Sequence, residues 1–220
     1  MSRKIPRALE PAGIVLLDKP AGISSFAAIA ELRERTGART GHAGTLDPFA
    51  TGLLVVLSGS TTRLASLFVK LDKRYLTEVD LTSTTSTGDP EGETVEAHEA
   101  PTREQLDERL AALRGEVELP IPAASAVKIG GERAYRLHRR GVEMEMPLRR
   151  SRVDALDVVE YTGDTVTLDL RVGSGTYVRA IAAAVGGHCR TLRRNEVGPF
   201  SVEEAGPRLI PTDEALARLP

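Results

Sequence analysis

The stretch Gly41-His42-Ala43-Gly44-Thr45-Leu46-Asp47-Pro48-Phe49-Ala50-Thr51-Gly52-Leu53-Leu54 places one carboxylate, Asp47, among residues that otherwise carry none. Three glycines and a proline surround it, and an apolar run over 53–57 follows. Such a loop brings backbone close to a ligand and holds one acid in a fixed place. A lone aspartate in a Gly/Pro loop is more often a turn residue bonded to its own backbone. Here Gly44 and Gly52 permit unusual backbone angles on both sides, and Pro48 removes a donor and sets the exit direction. His42, five residues earlier, has the chemistry to stack on a base, donate a hydrogen bond or assist catalysis; the plainer alternative is a histidine bonded to nearby backbone.

Two further constellations carry chemistry. Lys73-Arg74-Tyr75 sets two cations beside an aromatic in a chain with 4% aromatic residues and no tryptophan. A tyrosine there can stack on an extruded base or lie half-buried on a sheet. Gly173-Ser174-Gly175-Thr176-Tyr177-Val178-Arg179 reads as a strand-to-helix turn. Its backbone donors suit an anion, while Arg179 suits a carboxylate from another loop, which it would keep ionised and oriented. The four histidines (His42, His98, His138, His188) show no paired metal-ligand spacing, so no metal is expected. The serines have no matching His and Asp, which leaves serine-hydrolase chemistry without support.

The elements that must position these residues are legible from periodicity. Residues 13–18 read as a strand, followed by the turn Lys19-Pro20-Ala21-Gly22. Ser24 or Ser25 caps a helix running to about Thr36, with Gly37 beyond its end and Phe26, Ile29 and Leu32 on its inner face. After the Asp47 loop come a buried strand over 53–57 and a helix over 61–71 with Leu64, Leu67, Phe68 and Leu71 inward. A strand over 75–81 alternates through Tyr75, Thr77, Val79 and Leu81. The clearest helix covers 102–114, with a Thr102/Gln105 capping box, a Leu106/Leu110/Leu113 stripe and Gly115 as its stop. An extended linker over 120–124, a short basic helix over 131–141, strands over 153–161 and 165–172, and a helix over 176–185 ended by Gly186-Gly187 follow. Two short strands are placed near Leu192 and Phe200. Strands outnumber helices and their connections are short, so the fold class is α+β, a mixed, mainly antiparallel sheet flanked by helices.

Bulk properties bound the function. The chain has 220 residues, 41% hydrophobic and 27% charged, ordinary for a globular protein. No apolar run approaches membrane-spanning length, and the N-terminal residues have no apolar signal core, so no membrane association is expected. The single cysteine, Cys189, excludes an internal disulfide. Together these favour a cytoplasmic protein, and a monomer is the default. The net charge of −2 hides segregation: residues 125–152 hold eight basic residues against three acids, and 170–195 hold five arginines and no acid. A segregated basic surface binds phosphate even on a slightly acidic chain.

Several blocks, in order, resemble the TruB family of tRNA pseudouridine synthases: GIVLLDKPAGISS from Gly13, RTGHAGTLDPFATGLL from Arg39, Lys73-Arg74-Tyr75, and Thr87-Gly88-Asp89-Pro90-Glu91-Gly92. PAASAVKIGGERAYRLHRRG from Pro122, Gly175-Thr176-Tyr177-Val178-Arg179 and Leu192-Arg193-Arg194 continue the match. The resemblance implies the pseudouridine-synthase fold and conversion of the T-loop uridine (tRNA position 55) to pseudouridine without cofactor or metal. It makes Asp47 the essential carboxylate, by attack on C1′ or by removing the 2′ proton towards a glycal. It pairs Arg179 with Asp47, stacks Tyr75 on the flipped base and puts His42 in the RNA stack. Leu192 would pack near the base, and Arg74, Lys19 and Lys128 would bind substrate, Lys19 alternatively supporting the fold. The expected organisation is an N-terminal extension over 1–12 and one catalytic domain over 13–220, without the C-terminal RNA-binding PUA domain that many members carry. A guide-dependent synthase and a silent tRNA-binding or folding factor are the competing readings.

Overall fold

The computed structural model describes residues 12–220, so nearly all of the expected extension over 1–12 lies outside the described residues. In chain order the first elements are β1 (Gly13–Lys19), α1 (Ser25–Ala28), α2 (Ala30–Thr36), β2 (Thr40–His42), β3 (Thr51–Ser58), a 3-10 helix (Gly59–Leu64) and α3 (Ala65–Val69). Next come β4 (Lys73–Asp80), β5 (Ser83–Thr85), β6 (Thr94–Ala97), α4 (Arg103–Ala112), β7 (Gly115–Pro120), β8 (Lys128–Ile129), β9 (Glu132–Arg133) and α5 (Ala134–Arg139). The remainder is β10 (Leu148–Tyr161), β11 (Thr165–Val172), α6 (Val178–Ala184), β12 (His188–Val197), β13 (Phe200–Ser201), a 3-10 helix (Val202–Glu204), β14 (Leu209–Pro211) and α7 (Thr212–Ala217). The chain divides into two compact units, one joining the stretch up to Leu71 with Arg194–Pro220, the other Asp72–Arg193.

In the first unit β1 is the middle of an antiparallel group. It pairs with β3 from Gly13↔Ser58 to Lys19↔Gly52, and with β14 through Ile14↔Ile210. β3 is buried from Gly52 to Ser58, which explains its unbroken apolar sequence. Its alternate side chains feed two cores. Leu53, Val55 and Leu57 join Ile14, Leu16, Phe68 and Phe200 on one side. Leu54 and Val56 join Val15 and Ile29 on the other. The helix expected from Ser24 to Thr36 is two helices. Ser24 caps the first by accepting from the Ala27 amide, and Ile29 interrupts the run and buries its side chain. Gly37 ends the second at φ 60°, as expected. Phe26, expected inward, is exposed, and the Arg33 guanidinium lies 5.2 Å over its ring. Leu67 is likewise exposed, because 59–64 wind as a tighter 3-10 helix that shifts the helical phase.

The second unit is also antiparallel. β4 pairs with β11 from Lys73↔Val172 to Asp80↔Thr165; β11 pairs with β10, and β10 with β7. The alternation expected in β4 and β11 is present: Tyr75, Thr77 and Val79, and Val166, Leu168, Leu170 and Val172, are buried. β10 begins at Leu148, five residues before the expected start, and β7 occupies a stretch that periodicity missed. Its Glu116 and Glu118 are exposed and only Leu119 is fully buried, so it shows little apolar signal. The Thr102/Gln105 capping box closes α4, whose Leu106 and Leu110 are buried. Arg109 on that helix donates to the Val185 carbonyl at the end of α6 (2.8 Å).

Candidate active site

The expected site residues fall on both units: Lys19, His42 and Asp47 on the first, Arg74, Tyr75, Lys128, Arg179 and Leu192 on the second. Each half is built differently.

The Asp47 loop is fastened by its neighbours. Gly44 at φ 99° and Gly52 at φ 102° bracket it, in the left-handed region that glycine tolerates. At Gly52 a side chain has no room, since a Cβ would stand 2.3 Å from the Arg194 carbonyl oxygen. Ala43, Leu46 and Ala50 are buried. The buried Ser25 hydroxyl donates to the Leu46 carbonyl (2.9 Å) and accepts from the Leu46 amide (2.8 Å), one residue before Asp47. One residue after it, the Pro48 carbonyl accepts from the Gly22 amide (2.8 Å) and from Lys19 Nζ (3.1 Å). Lys19 is fully buried, and its ammonium also donates to the Pro20 and Ile23 carbonyls at 2.8 Å each. Of the two roles open to Lys19, this geometry is that of loop support. Asp47 itself is half-buried.

Beneath the loop runs a residue to which the sequence reading gave no role. Arg194, 1% exposed, donates Nε to the Leu53 carbonyl (2.7 Å) and Nη2 to the Gly44 carbonyl (3.0 Å). A signal existed: Leu192 and Arg194 share one period-2 face of β12, so an arginine occupies an inward position. His42, half-buried on β2, feels it. Burial foremost, and then the positive charge of Arg194, hold its pKa below the ordinary 6.5, while the Gly44 backbone pulls it back up. His42 is thus a neutral imidazole at pH 7.

In the second unit Arg179, 3% exposed, is the hub. Its Nη1 donates to the Thr87 carbonyl (2.6 Å) and lies 3.2 Å from Asp89 Oδ2; Nη2 donates to the Ala124 carbonyl (2.9 Å). Asp89 is equally buried, and its Oδ1 accepts from the Thr87 hydroxyl (2.5 Å) and the Glu91 amide (3.0 Å). The sequence reading quoted Asp89 in the Thr87–Gly92 block and gave this acid no role. The signal was the run 170–195 itself, where any buried arginine must draw its carboxylate from elsewhere. Tyr75 is buried on the inner face of β4, and Leu192 is buried on β12. Arg74 makes a bidentate pair with Asp169 (2.9 and 2.7 Å). Lys128 is exposed at the β8–β9 hairpin, at the start of the basic segment. No cluster of His, Cys, Asp and Glu suited to a metal ion is present among the described residues, and no described helix is long and apolar enough to cross a membrane.

Comparison with known proteins places this chain among RNA-modifying enzymes. A family model described as TruB family pseudouridylate synthase (N terminal domain) matches residues 32–178. A protein named tRNA pseudouridine synthase B from Mycobacterium sp. (strain KMS) is 44% identical over 215 residues, 92% of this chain and 72% of the relative. Its namesake from Azoarcus sp. (strain BH72) is 37% identical over 213 residues, 93% of this chain and 71% of the relative. Among solved structures, a chain of a Cbf5-Nop10-Gar1 complex superposes with a TM-score of 0.65 at 27% identity. The match covers 89% of this chain and spans about half (52%) of that one. A pseudouridylate synthase at 18% identity and a TM-score of 0.53, covering 96% of this chain and 75% of that one, shares the fold.

Proposed function

The chain belongs to the TruB family of pseudouridylate synthases and isomerises uridine to pseudouridine in tRNA; we propose that its target is the T-loop uridine and that Asp47 is the carboxylate acting on it. The observation that carries the reading is the fastening of the Asp47 loop. Ser25 holds Leu46, Lys19 and Gly22 hold Pro48, and the acid between them is left half-buried. A carboxylate in such a frame meets a sugar with little reorganisation.

The reaction defines what each residue must do. The N1–C1′ bond breaks, uracil turns, and C5 joins C1′; the proton lost from C5 is balanced by one gained at N1, so nothing is consumed. A uridine inside a folded loop must first leave the stack. An ionised Asp47 beside C1′ serves either as the nucleophile at the sugar or as the base for its 2′ proton; the demand for a carboxylate at an anomeric carbon parallels glycoside hydrolysis. In this reading Arg179 orients that carboxylate, Tyr75 stacks on the turned base, and Leu192 packs near it. His42, neutral at pH 7, offers a flat ring to the RNA stack without adding charge. Arg74 and the exposed Lys128 contribute positive potential for phosphates. Residues 13–220 act as one catalytic domain, as a monomer, in the cytoplasm.

The test is tritium release from a T-arm hairpin labelled at uridine C5. Release by the wild type and none by Asp47→Asn supports the reading; equal release by both removes Asp47 from the mechanism. A second reading, in which partner proteins direct the chain to its RNA, draws on the likeness to Cbf5 in its complex. Modification of the bare hairpin by the chain alone sets it aside.

A further inference from the structure

Arg194 is the largest side chain that the described residues bury completely, and it lies outside the roles assigned above. Its acceptors are instructive. The Gly44 carbonyl precedes the turn that carries Asp47, and the Leu53 carbonyl follows it on β3. One planar guanidinium therefore ties the entrance of the loop to its exit. The two bonds leave from different nitrogens, Nη2 and Nε, in the fixed fork that only arginine supplies. The contact extends to the backbone: the carbonyl and amide of Arg194 stand where a Cβ on Gly52 would be, at 2.3 and 2.7 Å. Glycine at 52 thus lets β12 come close enough for the side chain to reach both carbonyls. Both acceptors are neutral, so the charge is buried without the energetic return of a close ion pair. What the arrangement supplies is geometry.

We propose that Arg194 is a positioning residue for the isomerisation, whose buried guanidinium joins the Gly44 and Leu53 carbonyls and thereby fixes the place of the Asp47 carboxylate. The proposal rests on the reading of Asp47 given above. Loss of the tie lets the loop relax while the RNA-binding surface stays in place. A misplacement of about 1 Å costs on the order of 100-fold in rate, so the deficit belongs in kcat and not in KM.

The experiment compares Arg194→Lys and Arg194→Gln with the wild type on the T-arm hairpin, measuring kcat, KM and Tm. Asp47→Asn is assayed alongside, and Val197→Ala is a stability control from the same strand, a buried apolar side chain of the core that makes no hydrogen bond to the loop. The expected result is a kcat lowered about 100-fold in Arg194→Gln and about 10-fold in Arg194→Lys, with KM within twofold of the wild type. Val197→Ala loses Tm and keeps its kcat. Should Arg194→Gln fail to fold, Arg194→Lys decides alone. Wild-type kcat in Arg194→Lys and Arg194→Gln, or a loss of kcat that simply follows Tm as in Val197→Ala, overturns the proposal. An inactive Asp47→Asn beside normal Arg194 variants refutes this inference alone, whereas an active Asp47→Asn refutes the functional reading beneath it.

Discussion

Arg194 and Arg179 are both buried and both gather loop carbonyls, but only Arg179 adds a buried carboxylate, Asp89. In the first unit the Asp47 loop is held by separate bonds from Ser25, Gly22, Lys19 and Arg194, each to a neutral backbone acceptor. In the second, one arginine concentrates the contacts to Thr87, Asp89 and Ala124. The difference teaches where each is vulnerable. A distributed frame loses a part of its stability with each bond, while a hub with a buried ion pair fails at once when one partner goes.

The largest expected effect tests what the frame is for. Asp47→Asn should lower the tritium-release rate by about 10³-fold or more, while the ties at Leu46 and Pro48, made through their carbonyls, stay in place. The hub comes next. Asp89→Ala leaves Arg179 buried without that carboxylate and should cost about 3–5 kcal/mol in urea unfolding. Asp89→Leu combined with Arg179→Met should recover much of that stability and no activity, which separates the pair's structural share from its chemical one. Gly52→Ala forces a Cβ against the Arg194 backbone at φ 102° and should cost on the order of 3 kcal/mol. Ser25→Ala removes a hydroxyl that satisfies both the amide and the carbonyl of buried Leu46, and about 1–3 kcal/mol should be lost in the same measurement. If Ser25→Ala proves as damaging as Asp89→Ala, the contrast between a distributed frame and a hub is broken.

The smallest effect concerns pH. The unfolded chain protonates His42 near 6.5, and the folded chain only at lower pH. Between the two the unfolded state binds more protons, so His42 contributes full stability above about 6.5 and loses it as pH falls below that value. Urea midpoints from pH 8 to 5 should therefore fall less steeply in His42→Gln than in the wild type.

Much of the architecture was legible because burial writes itself into alternation. β4 and β11 are half-buried antiparallel strands, and their period-2 pattern located them closely. The capping box of α4 did the same through local hydrogen bonding. β7 was not legible, since its neighbours leave Glu116 and Glu118 exposed. The break at Ile29 depends on that side chain reaching the core beside Leu54 and Val56, a tertiary choice that overrides helical periodicity. At the site, the Asp47 loop stood out through its glycines and its lone acid. Asp89 and Arg194 did not, because a turn acid and a strand arginine look like surface residues until a distant segment buries them.

The ammonium of Lys19 has one more consequence. An amine enclosed by three carbonyls and fully buried cannot meet an acylating reagent, whereas Lys70 and Lys128 are exposed to it. Brief acetylation should mark those two at once and Lys19 only in molecules whose Pro48 anchor has come undone. The slow appearance of the Lys19 adduct by mass spectrometry would thus clock the spontaneous opening of the loop, from a reporter the chain already carries.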